Sequence, residues 1–395
     1  MIKRIRIQNY KALRDVTLDL TPIHALIGPN DSGKTSILEA IGALCRSVDH
    51  RLAEAFSGAW EGKQLVWFGE RNPTVKLTAW ISHCNKQFSY SIATSFALEG
   101  RTVSIDEEIA TIFERTVPLT RKSHQASTVQ QVASRSDQQA NEDLQECADI
   151  VSDSLRGVQS YRWDGRFLGL PVAPNMKRLF RMDPTGFGLA LLLDDILGFD
   201  RDLFIKLEQR FKGLFPAIKS IKLIPEPAYR SAVDDPELIP MLQKSDGKGL
   251  YFEFRDGGDP IPARQVSDGV LLVLAYLAVL HLPEPPRVLL IEEPENGIHP
   301  KRLQDVLAIL RELVGEQSQT QVILTTHSPY AVDLFDPKEV TLCQKQDDGS
   351  VSVRRLSESQ AVLDQRGVFT LGEIWTSEGD ESLAQPAAAD GESHG

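Results

Sequence analysis

Cysteine is scarce in this chain and never clustered. Cys45, Cys84, Cys147 and Cys343 stand singly, with no Cys-x-x-Cys pair and no histidine at metal-ligand spacing beside them. That pattern excludes a disulfide scaffold and a zinc site, and it fits reduced thiols in a cytoplasmic protein. Long hydrophobic runs are missing as well. A membrane span needs roughly 18 apolar residues, and the best candidate, 270–282, is short and broken by Tyr276 and His281. Positive charge is in deficit, 43 Lys and Arg against 55 Asp and Glu, a formal net charge of −12. Such a balance argues against broad electrostatic attachment to nucleic acid or an anionic membrane, while leaving room for a local basic groove. No internal repeat and no sustained heptad is present, so a long coiled coil is excluded. The first residues, Met1 to Ile7, alternate basic and apolar side chains as a strand does and lack the apolar core of a signal peptide.

Against these absences, one stretch stands out: Gly28-Pro29-Asn30-Asp31-Ser32-Gly33-Lys34-Thr35. It has the spacing Gly-x-x-x-x-Gly-Lys-Thr of a phosphate-binding loop. Apolar Ile23 to Ile27 lead in as a buried strand, and Ser36 to Ile41 leave as a helix. The glycines let the backbone curl so that its N–H groups converge on a polyphosphate at the helix N-terminus. Lys34 then supplies a point charge to the β- and γ-phosphates, and the Thr35 hydroxyl is a ligand for Mg²⁺. An ordinary glycine turn before a helix is the competing interpretation. The motif is longer and better placed than such turns usually are.

At 395 residues the chain has room for two or three domains, or for one nucleotide-binding domain with a large insertion. Short strands are expected at 2–8, 15–20 and 23–27, and a helix from Lys34 to about Val48. Alternating runs at 64–68, 74–81, 88–92 and 102–105, with turn residues at Asn72-Pro73, Asn85 and Gly100, predict an antiparallel β section. Residues 120–146 turn polar, and a partly helical arm outside any core is expected there. Two amphipathic helices follow at 184–197 and 200–214. Strands at 220–224 and 250–255 are expected to return to the β section, with a loop at 225–248 between them. The last third alternates helix (270–280), buried strand (288–291), helix (302–314) and buried strand (322–324), which argues for a parallel sheet with helical layers. The fold class is therefore α/β, a mixed or parallel sheet core with an antiparallel section and an inserted helical subdomain. The expected divisions are an N-terminal core part (1–110), a mainly helical insertion (111–215), a C-terminal core part (216–345) and an extension (346–395), disordered after about 376.

Four downstream stretches have the chemistry that an ATP site needs. Val288 to Glu293 is an apolar strand ending in two carboxylates. The first, Glu292, is placed to hold Mg²⁺, and Glu293 to orient or deprotonate the attacking water. In isolation a Glu-Glu pair is more often a solvated acidic turn. A second apolar strand ends in Thr326-His327-Ser328, where His327 faces the crevice in which open α/β sheets bind ligands. Ser267-Asp268-Gly269 opens an apolar helix, with Ser267 as its cap and the free N–H groups around Gly269 as an anion site. Pro294 to Pro300 is a tight loop directly after the carboxylates.

Taken in order, these stretches resemble the ABC-type ATPases: phosphate loop, signature loop, acidic strand with its D-loop, and switch histidine. The opening Ile2 to Leu13, the Gly-Pro-Asn start of the phosphate loop and Glu292-Glu293-Pro294-Glu295-Asn296-Gly297-Ile298-His299-Pro300 are similar to the RecF, SMC and OLD (overcoming lysogenisation defect) branch of the AAA-family ATPases. The resemblance covers about residues 1–48 and 260–335. It implies a P-loop NTPase fold of ABC-ATPase type, with ATP and Mg²⁺ as cofactors. Gly28 to Ser36, including Asn30, Asp31 and Ser32, would surround the phosphates. Thr35 and Glu292 would be the metal residues, Glu293 the hydrolytic carboxylate and His327 the γ-phosphate sensor. Ser267, Asp268 and Gly269 would act on the ATP of an opposite subunit, so two chains would sandwich two nucleotides head to tail. Glu292 stands where the family usually has aspartate, and Asp31 where glycine is common. Gln64 is the candidate Q-loop glutamine, and Arg46 or Arg51 the candidate nucleotide-contacting arginine.

The gap between Lys34 and Ser267 is too long for a transporter ATPase and too short for an SMC coiled coil. OLD proteins add a Toprim nuclease domain, for which the residues after His327 are too few, so a nuclease is expected on a separate chain. The leading expectation is an ATP-dependent homodimer, or larger assembly, driving DNA repair or anti-phage defence. Lys3, Arg4, Arg6 and Lys11 serve equally well as part of a DNA surface or as a solvated sheet edge. The alternative is a slowly hydrolysing switch that holds a toxin or nuclease partner. A transporter subunit is a distant third, and no membrane partner is expected.

Overall fold

The computed structural model describes residues 1–57, 62–68, 74–83, 86–97, 102–112, 115–119, 126–134, 142–173, 180–229, 245–315 and 318–386. The expected turns at Asn72-Pro73, Asn85 and Gly100 and the tail from 387 lie outside them, as do residues 230–244 of the loop expected at 225–248, whose two ends are instead paired strand. The chain divides into two compact units. One comprises 1–159, 286–290 and 319–395, the other 160–285 and 291–318.

The first unit holds two sheets. Six antiparallel strands run in the order Leu13–Asp19, Ile2–Tyr10, Thr74–His83, Lys86–Phe96, Val103–Ile112 and Arg115–Pro118. Alternation decides which side faces in. Ile5 and Ile7 are buried while Arg4 and Arg6 point out, and a bulge between Ile2 and Arg4 explains why Ile2 is buried three residues before Ile5. The run at 64–68 joins no strand. It is a short 3₁₀ turn, Gly62–Leu65, followed by a single bridge from Val66 to Tyr10.

The second sheet is mixed. Its six strands run in the order Val351–Arg355, Val340–Lys345, Ile23–Ile27, Gln321–Thr325, Val288–Glu292 and Gln159–Tyr161. Ile23–Ile27 pairs in parallel with both of its neighbours, and Val351–Arg355 adds an antiparallel edge. Ile23–Ile27 is buried at every position, as a two-sided parallel strand must be. The helix Lys34–Arg46 packs Ile37, Leu38, Ile41 and Leu44 into the core that the two sheets share. Gln321 joins the sheets. Its Oε1 accepts from Ile2 N (3.0 Å), while its Nε2 donates to Ile2 O (2.8 Å) and Thr21 O (3.0 Å).

Two expectations fail in this unit. The polar stretch 120–146 does reach the core, through Val129 and Val132 of the helix Thr128–Ala133, and the helix Glu142–Leu155 that begins in it packs there as well. Val129, Val132, Ala148, Val151 and Leu155 are fully buried in it, and each Val or Leu contributes about 1.5–3 kcal/mol. Order also persists past 376, because Leu371–Leu383 is helical. Thr370 and Glu373 form a capping box at its start, and Ile374 and Leu383 are buried.

The second unit contains the helices Leu189–Phe199, Arg201–Leu214, Asp268–Leu280 and Pro300–Leu313. The strands Ile218–Ala228 and Ser245–Phe254 do not return to the antiparallel section. With Ile261–Pro262 they form their own three-stranded sheet. Among the described residues no helix is long and apolar enough to cross a membrane.

Candidate active site

In the first unit, the end of the strand Ile23–Ile27 turns into the phosphate loop through three left-handed residues: Gly28 (φ 133°), Asp31 (φ 63°) and Gly33 (φ 87°). At Gly28 a Cβ would stand 2.2 Å from the Cys343 carbonyl oxygen, and at Gly33 it would stand 2.6 Å from Val351 Cγ2. Both positions therefore demand glycine for space as well as for φ. Asp31 occupies a left-handed position that aspartate tolerates, and its carboxylate pairs with Lys345. The loop's own residues thus set its shape. The Lys34 ammonium is curled into it and donates to Gly28 O (2.9 Å), Pro29 O (2.6 Å) and Ser32 Oγ (3.2 Å). Ser32 and Lys34 are buried, whereas Pro29, Asn30 and Thr35 are exposed around them. Gly33 caps the helix Lys34–Arg46 without a side-chain bond, leaving Thr35 and Ser36 in a first turn whose N–H groups suit an anion.

His327 comes to the same edge of the same sheet. Thr325 lies opposite Leu26 in parallel register, and Thr326 N donates to Leu26 O (3.1 Å). His327 therefore emerges beside the strand end that becomes Gly28. Ser328 N bonds Thr326 Oγ1 (3.1 Å), and the Ser328 hydroxyl caps the short helix Pro329–Val332, which fixes the backbone on both sides of the histidine.

In the second unit the acidic and signature residues gather. Glu292 ends its strand extended, but Glu293 is left-handed (φ 50°), a conformation that costs a non-glycine residue about 1–3 kcal/mol. The turn that follows holds it there. Asn296 N donates to Glu293 O (3.0 Å), and Asn296 Nδ2 to Glu293 Oε2 (2.6 Å). His299 then caps Pro300–Leu313, its Nδ1 accepting from Lys301 N (3.3 Å). Gly297 (φ 77°) brings this loop against the signature helix, where a Cβ on Gly269 would lie 3.5 Å from Gly297 O. Ser267 occupies the N-cap position of Asp268–Leu280 but makes no capping bond. The expected cap is absent, and the hydroxyl stands at the exposed helix end. Asp268 faces Gly165, at which a Cβ would meet its carboxylate at 2.2 Å.

Arg162 escaped the sequence reading, since it sits in no recognisable motif. Its Nη1 lies 3.7 Å from Glu292 Oε2 and its Nη2 3.6 Å from Glu293 Oε2. Flanking aromatics anchor it, Tyr161 against Trp163 (4.7 Å between centroids) and Trp163 against Tyr276 (4.5 Å).

The remaining candidates fare differently. Arg46 ends the helix that Lys34 begins, about 18 Å away at 1.5 Å per residue. It is half-buried there, donating Nε to Ala55 O (3.2 Å), and desolvation pulls its pKa down. It is therefore a structural arginine rather than a phosphate contact. Arg51 lies beyond that end, and Gln64 is exposed on its 3₁₀ turn. Three of the four basic residues of this region are paired in place. Arg4 forks onto Asp19 (2.5 and 2.9 Å), Arg6 onto Asp15 (2.8 and 2.6 Å), and Lys11 pairs with Glu39.

Comparison with known proteins bears on the family and the fold. A family model described as "AAA domain, putative AbiEii toxin, Type IV TA system" matches residues 85–333, more than half of the chain. The chain belongs to that AAA family. A second model, "AAA ATPase domain", matches residues 1–156 of this AAA protein. An OLD nuclease of Thermus scotoductus (strain ATCC 700910 / SA-01) is 23% identical over 94% of the chain and 68% of its own length. Among solved structures, an SMC head bound to the C-terminal winged-helix domain of ScpA aligns with a TM-score of 0.52 at 15% identity, over 89% of this chain and 96% of that one. An SMC head from Pyrococcus furiosus, with an extended coiled coil and the C-terminal domain of ScpA, gives 0.49 at 13% identity over 92% and 98%. The AAA protein thus shares the fold of the first of these SMC heads and is similar in sequence to an OLD nuclease along most of its length.

Proposed function

We propose that this AAA protein binds ATP with Mg²⁺ and hydrolyses it, and that occupancy of the site joins two copies head to tail. The supporting observation is the phosphate loop, held open by three left-handed residues around an ammonium that already has three oxygen partners. On this reading, phosphate oxygens take over the acceptor role that the loop now plays for Lys34. The residues suit Mg²⁺ as well. A threonine hydroxyl and a carboxylate are the few protein ligands that this ion needs when phosphates and water complete its shell. When bound, the metal would neutralise charge on the transferring phosphoryl group.

Glu293 would then hold the attacking water and accept its proton, with Asn296 keeping the carboxylate in place. His327 would hydrogen-bond the γ-phosphate. Ser267 and Gly269 would meet the nucleotide of the second copy, which suits a hydroxyl that no capping bond engages. The test is turnover and assembly together. Glu293→Gln should retain ATP, lose hydrolysis and accumulate as a dimer in sedimentation, and a monomer at every concentration with Mg·ATP would refute the assembly.

The process driven is proposed to be a DNA transaction, in repair or anti-phage defence, with a separate effector such as a nuclease. The OLD nuclease relative supports it, whereas the basic strand does not, since its arginines are matched by aspartates. DNA-stimulated turnover with a steep salt dependence is the expected signature. A second reading is a slow switch that holds a toxin or nuclease. It is favoured by the toxin–antitoxin wording of the family description and by Glu292 in place of aspartate. On that reading Glu293→Gln changes little, and a protein partner co-purifies in an ATP-dependent way.

A further inference from the structure

Glu292 and Glu293 bring two negative charges to consecutive residues whose side chains are only 22% and 24% exposed. Carboxylates on consecutive residues, partly withdrawn from water, repel one another, and a nearby cation offsets that repulsion. Arg162 supplies one, but in an unusual manner. Its two terminal nitrogens reach one carboxylate each, at 3.7 and 3.6 Å, beyond hydrogen-bonding distance and without the parallel fork of a strong arginine–carboxylate pair. Its side chain is 65% exposed, so an ion pair of this kind is weak and its side chain is free to swing into solvent. The backbone beneath it, in contrast, is fixed. Arg162 N donates to Pro184 O (2.8 Å), Asp164 N to Thr185 O (3.0 Å), and the Tyr161–Trp163–Tyr276 stack flanks it. Glu293 is equally fixed without the arginine, through Asn296. The arrangement is a rigid seat for two carboxylates with a removable counterion on top.

We propose that Arg162 is a stand-in cation. It balances Glu292 and Glu293 before metal arrives and must withdraw for Mg²⁺ to bind at Glu292. The inference rests on the reading of Glu292 as a metal residue and adds a regulatory step to it, since metal entry and arginine departure become one exchange. Arg162 is then a positioning residue that opposes metal binding rather than a catalytic one. An arginine that merely braced the carboxylates would have the opposite effect, because its loss would loosen the seat and weaken the metal.

The exchange is measured without turnover, by Mn²⁺ titration of the full chain with a saturating non-hydrolysable ATP analogue, following free Mn²⁺ by electron paramagnetic resonance. Arg162→Gln and Arg162→Ala should each tighten Mn²⁺ about tenfold, the order expected when a unit charge is taken from about 4 Å away in an effective dielectric between that of the protein surface and water. Arg162→Lys should stay within about threefold of the parent. Glu292→Gln should weaken Mn²⁺ by at least about tenfold, and in that background the Arg162→Gln effect should vanish. Unchanged or weaker Mn²⁺ binding in both neutral Arg162 variants overturns the proposal. If Glu292→Gln still loses Mn²⁺ in that case, the metal reading survives alone. If Glu292→Gln binds Mn²⁺ like the parent, the metal reading falls and the stand-in role with it.

Discussion

Glu293 carries the heaviest chemical assignment on the least comfortable backbone. Its left-handed φ is tolerated because Asn296 grips both its carbonyl and its carboxylate. Replacing Glu293 with glutamine keeps the shape and the grip but removes the base. Hydrolysis should fall about 10²–10⁴-fold while filter-binding affinity for ATP holds within a few-fold. Lys34→Met should instead abolish nucleotide binding, since the charge is lost at the phosphates. A different side chain governs acid stability. His24 is fully buried between Thr21 Oγ1 (3.0 Å) and Thr341 Oγ1 (2.9 Å). Burial, reinforced by Arg355, pushes its pKa down from 6.5 to about 3. The unfolded chain therefore takes up a proton below about pH 6.5 that the folded chain refuses until about pH 3. Stability is intact above that window and falls as pH drops through it, by up to about 1.4 kcal/mol per pH unit. Denaturant melts of His24→Asn between pH 7 and 4 should show a shallower decline than the parent. At this scale the sequence was informative where chemistry demands a fixed spacing, as from Gly28 to Thr35. Arg162 was illegible because its importance comes from Glu292 and Glu293, some 130 residues later in the chain, and not from its neighbours.

Strands and helices were legible in proportion to how fully they are buried. The run Ile23–Ile27 and the helix Asp268–Leu280 are apolar almost throughout and could hardly be missed. The helices Thr128–Ala133 and Glu142–Leu155 show a narrow apolar stripe within a Gln-, Ser- and Asp-rich stretch, and composition hid their core contacts. The strand Ser245–Phe254 was placed in the wrong sheet, since alternation fixes which face is buried but not which neighbour is chosen. The phosphate loop gives a sharp element-level expectation. Both glycines are left-handed, but the Cβ at Gly28 would strike backbone and that at Gly33 only a valine side chain. Gly28→Ala should therefore destabilise the chain more than Gly33→Ala, by at least about 1 kcal/mol in denaturant melts. Val351→Ala should partly rescue Gly33→Ala and leave Gly28→Ala unrescued.

At the scale of the whole molecule, the phosphate loop and His327 belong to one compact unit, while the acidic and signature residues belong to the other. The sequence showed all four stretches but not this division, because the insertion begins near 160 with no linker-like change in composition. If ATP joins two chains, sedimentation of Glu293→Gln should show a monomer without nucleotide and a dimer with Mg·ATP. Ser267→Arg, which loads the exposed helix end with bulk and charge, should leave the ATP-free melting curve unchanged and abolish that dimer. Gln321 has a consequence of its own. It begins the strand whose far end presents His327, and its amide grasps Ile2 on both sides and Thr21 besides. Any displacement of that strand must therefore tug on the first strand of the neighbouring sheet, so the amide proton of Ile2 should exchange with deuterium only when the whole unit opens, and much earlier once Gln321 is shortened to alanine.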